Sequence, residues 1–162
     1  MKAQSFSVTK LILLLTVIFI SSFMLTSCDK DDEDNVDNRP YTISGNAAGS
    51  QVVPAVAGNG TGTITGSYDP ATGQLSYTSN WSGLSGAPTS GGFYNGASGA
   101  AGTAVGNPWT FDATATGTGS NTGTMTLNSE QASQLLGGNW YYSYGTAANP
   151  GGEVRGQISA TR

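Results

Sequence analysis

Gln74-Leu75-Ser76-Tyr77-Thr78-Ser79-Asn80-Trp81-Ser82 alternates apolar Leu75, Tyr77 and Trp81 with polar Gln74, Ser76, Thr78 and Ser82. Side chains alternate across a strand, so this stretch reads as a strand with one greasy and one wet face. Just before it, Thr61–Tyr68 sets Ile64 and Tyr68 on one face among threonines. The link Asp69-Pro70-Ala71-Thr72-Gly73 has turn chemistry, with Pro presetting φ and Gly accepting a left-handed exit. The two segments are expected to pair as a hairpin.

Working outward, a second hairpin is expected at the C-terminus. Trp140–Tyr144 is aromatic-rich, Asn149-Pro150-Gly151-Gly152 is a strong turn, and Glu153–Ala160 alternates again. There Val154, Ile158 and Ala160 face one way, and Glu153, Arg155, Gln157 and Ser159 the other. Weaker strand patterns cover Tyr41–Gly45, Trp109–Ala115 and Thr122–Leu127. One helix is expected over Ser129–Leu136, with Asn128 or Ser129 as its cap, Gln131 at capping-box spacing and Gly137 to end it. The six prolines fall at strand ends or in loops, where a missing N–H is harmless. Glycine is abundant at 24 residues, all from Gly45 onward, but the ordered alternation argues for folding over low complexity. The expected class is all-β: an antiparallel β-sandwich or barrel of about six to eight short strands with one short helix.

The N-terminus has a different chemistry. Lys2 and Lys10 precede an apolar run, Leu11–Ile20, and small residues lead up to Cys28, the only cysteine. That order is the layout of a secretory signal peptide. The run is short and broken by Thr16, Ser21 and Ser22, whereas a spanning helix needs roughly 20 apolar residues. Leu25-Thr26-Ser27-Cys28 resembles the lipobox of bacterial lipoproteins, which implies cleavage before Cys28 and acylation of its sulfur. A single acyl chain holds a protein only marginally, at about 0.8 kcal/mol per buried methylene, so two or three chains are needed for permanent anchoring. Six of the ten acidic residues then crowd into Asp29–Asp37. Such a block repels itself and reads as an extended, solvated tether, similar to the acidic stretch of surface-exported lipoproteins of Bacteroidota-type bacteria. The expected organisation is a signal peptide at 1–27, the lipidated cysteine and tether at 28–39, and a β domain at 40–162.

Several segments of that β domain resemble the CHRD domain, named from chordin and found in many bacterial secreted proteins. Gly151-Gly152-Glu153-Val154-Arg155-Gly156-Gln157-Ile158, after Thr146-Ala147-Ala148-Asn149-Pro150, looks like its closing signature. Ile43-Ser44-Gly45 with Gln51-Val52-Val53-Pro54 resembles its opening block, although Gln51 and Ala55 depart from the pattern. Gln74–Tyr77 with Gly83-Leu84, and the segment Asn128–Gly138, follow in the family's order. The resemblance covers roughly residues 41–160. It implies a β fold and an extracytoplasmic location more than a reaction. Family members usually carry histidines in two segments that here read Gly92-Phe93-Tyr94 and Ser143-Tyr144-Gly145-Thr146, and this chain contains no histidine at all. No metal or acid–base role is therefore carried over.

Composition narrows the function classes. Beyond Pro40 the only basic residues are Arg155 and Arg162, too few to neutralise a phosphate backbone, so nucleic acid is not an expected partner. Without histidine, and with Cys28 acylated, neither a Ser-His-Asp triad nor a Cys-His dyad can form, and neither imidazole nor thiolate remains for zinc. No metal, cofactor or catalytic residue is expected. A carboxylate pair remains chemically available, with Asp112 and Glu153 as the strand-located acids. Glu153, Arg155 and Gln157 share one strand face and read either as a ligand ladder, with Arg155 clamping an anion, or as pairs that fix the fold. Trp109 and Tyr141 are candidate stacking residues, Tyr141 being expected to point outward with Trp109 or Tyr94 as its partner. Core packing is the alternative for both. The expected protein is a lipid-anchored outer-membrane lipoprotein of the bacterial cell envelope, presenting a non-catalytic module to a surface protein or glycan. A glycan-binding module using exposed aromatics and an enzyme are the alternatives.

Overall fold

Asp69 builds the first turn as its chemistry requires: its carboxylate accepts hydrogen bonds from the Ala71 amide and the Thr72 hydroxyl, both at 2.9 Å. Gly73 follows with φ +71°, in the left-handed region. The computed structural model describes residues 38–162. The expected signal segment 1–27, Cys28 and positions 29–37 of the tether lie outside the described residues.

Nine strands follow in chain order: β1 (Tyr41–Ala48), β2 (Thr61–Asp69), β3 (Gln74–Ser82), β4 (Pro88–Asn95), β5 (Thr103–Val105), β6 (Gly119–Thr126), β7 (Trp140–Thr146), β8 (Val154–Gln157) and β9 (Ser159–Thr161). One helix, α1 (Ser129–Leu136), lies between β6 and β7. The strands form one sheet in the order β5-β4-β7-β8-β1-β2-β3-β6, with β9 beside β1. Every pairing is antiparallel, and β2 and β3 run in unbroken register from Thr61↔Ser82 to Asp69↔Gln74.

The sheet curls into a half-barrel. Phe93 on β4 and Tyr77 on β3 are separated by four intervening strands, yet their ring centroids are 4.8 Å apart, edge to face. Inward-facing Ile43, Ile64, Leu75, Trp140, Tyr142, Tyr144, Val154 and Ile158 are almost completely buried between the two arms. Side chains of this size each contribute about 1.5–3 kcal/mol on burial. Two inward glycines on β6 make room for that core. A Cβ at Gly119 would sit 2.5 Å from the Trp81 indole, and one at Gly123 2.6 Å from the Tyr77 hydroxyl.

The structure departs from the sequence expectations in three places. Strands number nine instead of six to eight, because β4 and β5 carry no alternation that marks them. Trp109–Ala115 is a loop, not a strand. Its amide at Trp109 bonds to the Gly91 carbonyl at 2.9 Å, and Trp109 and Phe111 fill the gap between the arms of the sheet. Asp112 then turns the chain, accepting from the Thr114 amide and hydroxyl at 2.9 and 2.8 Å. Finally, Glu153–Ala160 is not one strand: β8 pairs with β7, and after Ile158 the chain moves across so that β9 pairs with β1. The helix matches its expected span. Asn128 caps it, accepting from the Gln131 amide at 2.9 Å while its own amide donates to the Gln131 side chain at 3.0 Å.

Candidate functional site

Alternation along β7 and β8 sends Tyr141, Arg155 and Gln157 to the outer face of the sheet, where Tyr141 pairs with Gln157 and Ser143 with Arg155. Glu153 precedes β8 and turns to Ser85 and to Thr146, which lies on the side of β7 that carries Tyr142 and Tyr144. An outer face would ordinarily be solvated, but Arg155 is 4 % exposed, and Glu153 is 5 % exposed. Burying such groups is costly unless they are hydrogen-bonded, and each is bonded to a different loop.

Glu153 ties the β3–β4 connection to the end of β7. Its carboxylate accepts from the Ser85 amide at 2.7 Å, the Ser85 hydroxyl at 2.5 Å and the Thr146 hydroxyl at 2.6 Å. Burial pushes its carboxyl upward, but the bonds from Ser85 and Thr146 outweigh that and hold it below the ordinary glutamate value. Arg155 holds the segment after β4, donating to the Ala100 carbonyl at 2.6 Å and the Ala97 carbonyl at 2.8 Å. Its guanidinium lies 3.6 Å over the Tyr141 ring. Gln157 completes the row, donating to the carbonyls of Gly96 at 3.0 Å and Gly138 at 2.8 Å. All three side chains are engaged within the domain: Glu153 by Ser85 and Thr146, and Arg155 and Gln157 mainly by main-chain carbonyls.

The expected stacking platform is not formed, because neither ring is exposed. Tyr141, at 7 % exposed, is sandwiched between Tyr94 (5.1 Å, stacked) and Arg155, and its hydroxyl accepts from the Gly102 amide at 3.1 Å. Trp109, at 9 % exposed, lies on the opposite, inner side of the sheet, stacked 5.6 Å from Tyr77. Tyr94, on β4, is the partner that Tyr141 finds, and burial raises its phenol first, with Tyr141 adding to that. Asp112 is held below the ordinary carboxylate range by the Thr114 amide and hydroxyl that make its turn, and Glu153 is committed to Ser85 and Thr146. The acids considered as a catalytic pair therefore serve two separate turns.

Two cavities border these groups. On the inner side, about 350 Å³ opens between the Gly106–Thr110 stretch and β6, with Tyr77, Phe93 and Trp109 as walls. On the outer face, about 230 Å³ lies among Val52, Val53, Tyr94, Gly102, Ser143 and Arg155. Among the described residues no group of three or more His, Cys, Asp or Glu is placed to hold a metal ion. The sequence reading assigns no bonding role to Ser85, Thr146 or the 96–102 segment. Their contribution is mostly backbone carbonyls and short hydroxyls, which carry no spacing signal.

A curled antiparallel half-barrel, with Arg155 and Gln157 of its penultimate strand tied to the loops over its outer face, defines the class of domain. The profile of the CHRD domain matches residues 43–158, and the chain belongs to that family. Glu153, Arg155 and Gln157 lie within the matched residues. No curated protein and no solved structure gives a match to this chain.

Proposed function

We propose that this chain is a lipid-anchored protein of the bacterial cell envelope, in which Cys28 carries acyl chains and residues 29–39 hold a non-catalytic CHRD domain away from an outer membrane. The observation that supports the non-catalytic reading most is how the buried charges are used: Glu153 and Arg155 are bonded to the domain's own hydroxyls and main chain. That makes a rigid scaffold on which a binding surface can be presented to a surface protein or glycan. The N-terminal order of basic residues, apolar run, Leu25-Thr26-Ser27-Cys28 and acidic block supports the anchoring. Burial of Trp109 and Tyr141 removes the exposed platform that favoured a glycan-specific reading.

Metabolic labelling of cells expressing the full chain with an alkyne analogue of palmitate tests the anchor. Label is expected in the wild-type protein and absent from Cys28→Ser. An unlabelled wild type, or label retained in Cys28→Ser, would overturn the proposal.

A further inference from the structure

The two ends of the sheet are finished differently. At one end lies β5, three residues long, and at the other β6, eight residues long. β6 pairs with β3 along one edge in unbroken register, from Gln74↔Thr126 to Trp81↔Gly119. In an antiparallel pair every second residue turns its N–H and C=O away from its partner. Half of β6 therefore presents main-chain donors and acceptors on its other edge. Among the described residues, no main-chain hydrogen bond outside the β3 pairing involves Ser120–Thr126. Edges are commonly closed by short strands, charges, proline or a bulge, and β6 has none of these.

The inner cavity of about 350 Å³ reaches that edge. It is lined by the inward residues Asn121 and Met125 of β6 and also by the outward residues Thr122 and Thr124. Successive side chains point to opposite faces, so a space confined to one face would meet only one of these sets. The cavity wraps round the free edge. Its apolar wall is made by Phe93, Val105 and Trp109, with Tyr77 from β3, and no charged residue lines it among the described residues.

We infer that the free edge of β6 receives an extended, uncharged segment of a partner protein, which adds as a further strand and places one large apolar side chain in the cavity. The unpaired main chain supplies bonds that do not depend on the partner's sequence, and the cavity supplies the selection. Phe93, Trp109 and Tyr77 match an apolar side chain, and an ionised one would find no opposite charge there. The inference rests on the reading of the domain as a binding module, names the chemistry of its partner, and is independent of the anchor.

The probe is a synthetic heptapeptide with blocked ends, alternating threonine and valine around a central phenylalanine, titrated into the isotope-labelled full chain and followed by NMR. Saturable one-to-one binding is expected. The same peptide N-methylated at its amides keeps the side chains but loses the main-chain donors, and is expected to bind at least about tenfold more weakly. Replacing the central phenylalanine by aspartate is expected to weaken binding by at least about tenfold as well. Amide hydrogen exchange locates the site: every second amide of β6 should exchange fast in the free protein and slow by at least about tenfold at saturation. Absence of saturable binding, an N-methylated or aspartate peptide that binds as tightly as the probe, or unchanged exchange along β6 would each overturn the inference. So would a free protein that sediments as a dimer with those β6 amides already slow, because a second copy would then hold the edge. Acyl labelling at Cys28 would be unaffected by any of these results.

Discussion

Replacing Glu153 by Gln tests the buried carboxylate most sharply, because it keeps the shape and removes only the charge. The carboxylate accepts three short hydrogen bonds, at 2.7, 2.5 and 2.6 Å. Bonds to a charged group contribute about 1.5–3 kcal/mol each, against about 0.5–1.5 kcal/mol for neutral pairs. Over three bonds the difference is about 3 kcal/mol. The neutral amide costs less to bury, and a hydroxyl can rotate to accept from its new N–H. The net loss is about 2 kcal/mol. With an unfolding entropy of about 2.1 cal/mol/K per residue over residues 38–162, that lowers Tm by about 8 °C. The loss must also depend on pH. The folded carboxyl titrates below its ordinary value of 4.5, so its extra stability is present in full above 4.5 and is lost as pH falls through the folded value. Calorimetric melts of both proteins from pH 7 to pH 3 should show the gap at its widest at pH 7 and narrowing below 4.5. A variant that melts within about 1 °C of wild type at pH 7, or a gap that widens on acidification, would refute the reasoning.

Other perturbations probe the remaining supports. Tyr144→Phe removes the hydroxyl that donates to Ser79 at 2.6 Å in the buried interior, and should cost about 1–3 kcal/mol in urea unfolding. Gly66→Ala drives a Cβ into the Ser76 carbonyl of the neighbouring strand, so it should destabilise by about 1–3 kcal/mol, while Gly58→Ala, where a Cβ meets nothing, should melt like wild type. Asn128→Ala removes the capping box of α1 and should cost about 1 kcal/mol, measurable by the same melts.

The parts legible in the sequence were those whose cause is local. The β2–β3 hairpin needs only alternation and the Asp69–Gly73 turn, and α1 needs only Asn128, Gln131 and a terminal glycine. β4 was hidden because Pro88-Thr89-Ser90-Gly91-Gly92-Phe93-Tyr94-Asn95 buries residues on both faces, including glycines that a period-two pattern cannot register. A Cβ at Gly91 would lie 2.8 Å from Phe111, a residue 20 positions away, and that packing is invisible to any local window. Trp109–Ala115 misled for the opposite reason. Its alternation is real, with Trp109, Phe111 and Ala115 turned toward the core, but it serves a loop that spans the gap between two arms of the sheet. The face shared by Arg155 and Gln157 follows from two-residue spacing along β8. Its burial does not, because the 96–102 segment that covers it offers Arg155 only main-chain carbonyls.

Everything proposed about where this domain works depends on Cys28, and the intact mass of the full chain recovered from a bacterial envelope tests that dependence directly. The account predicts a chain that starts at Cys28 and is heavier than its residues by a lipid with two or three acyl chains. A chain that retains residues 1–27, or one cleaved at another position with an unmodified thiol at Cys28, would contradict it.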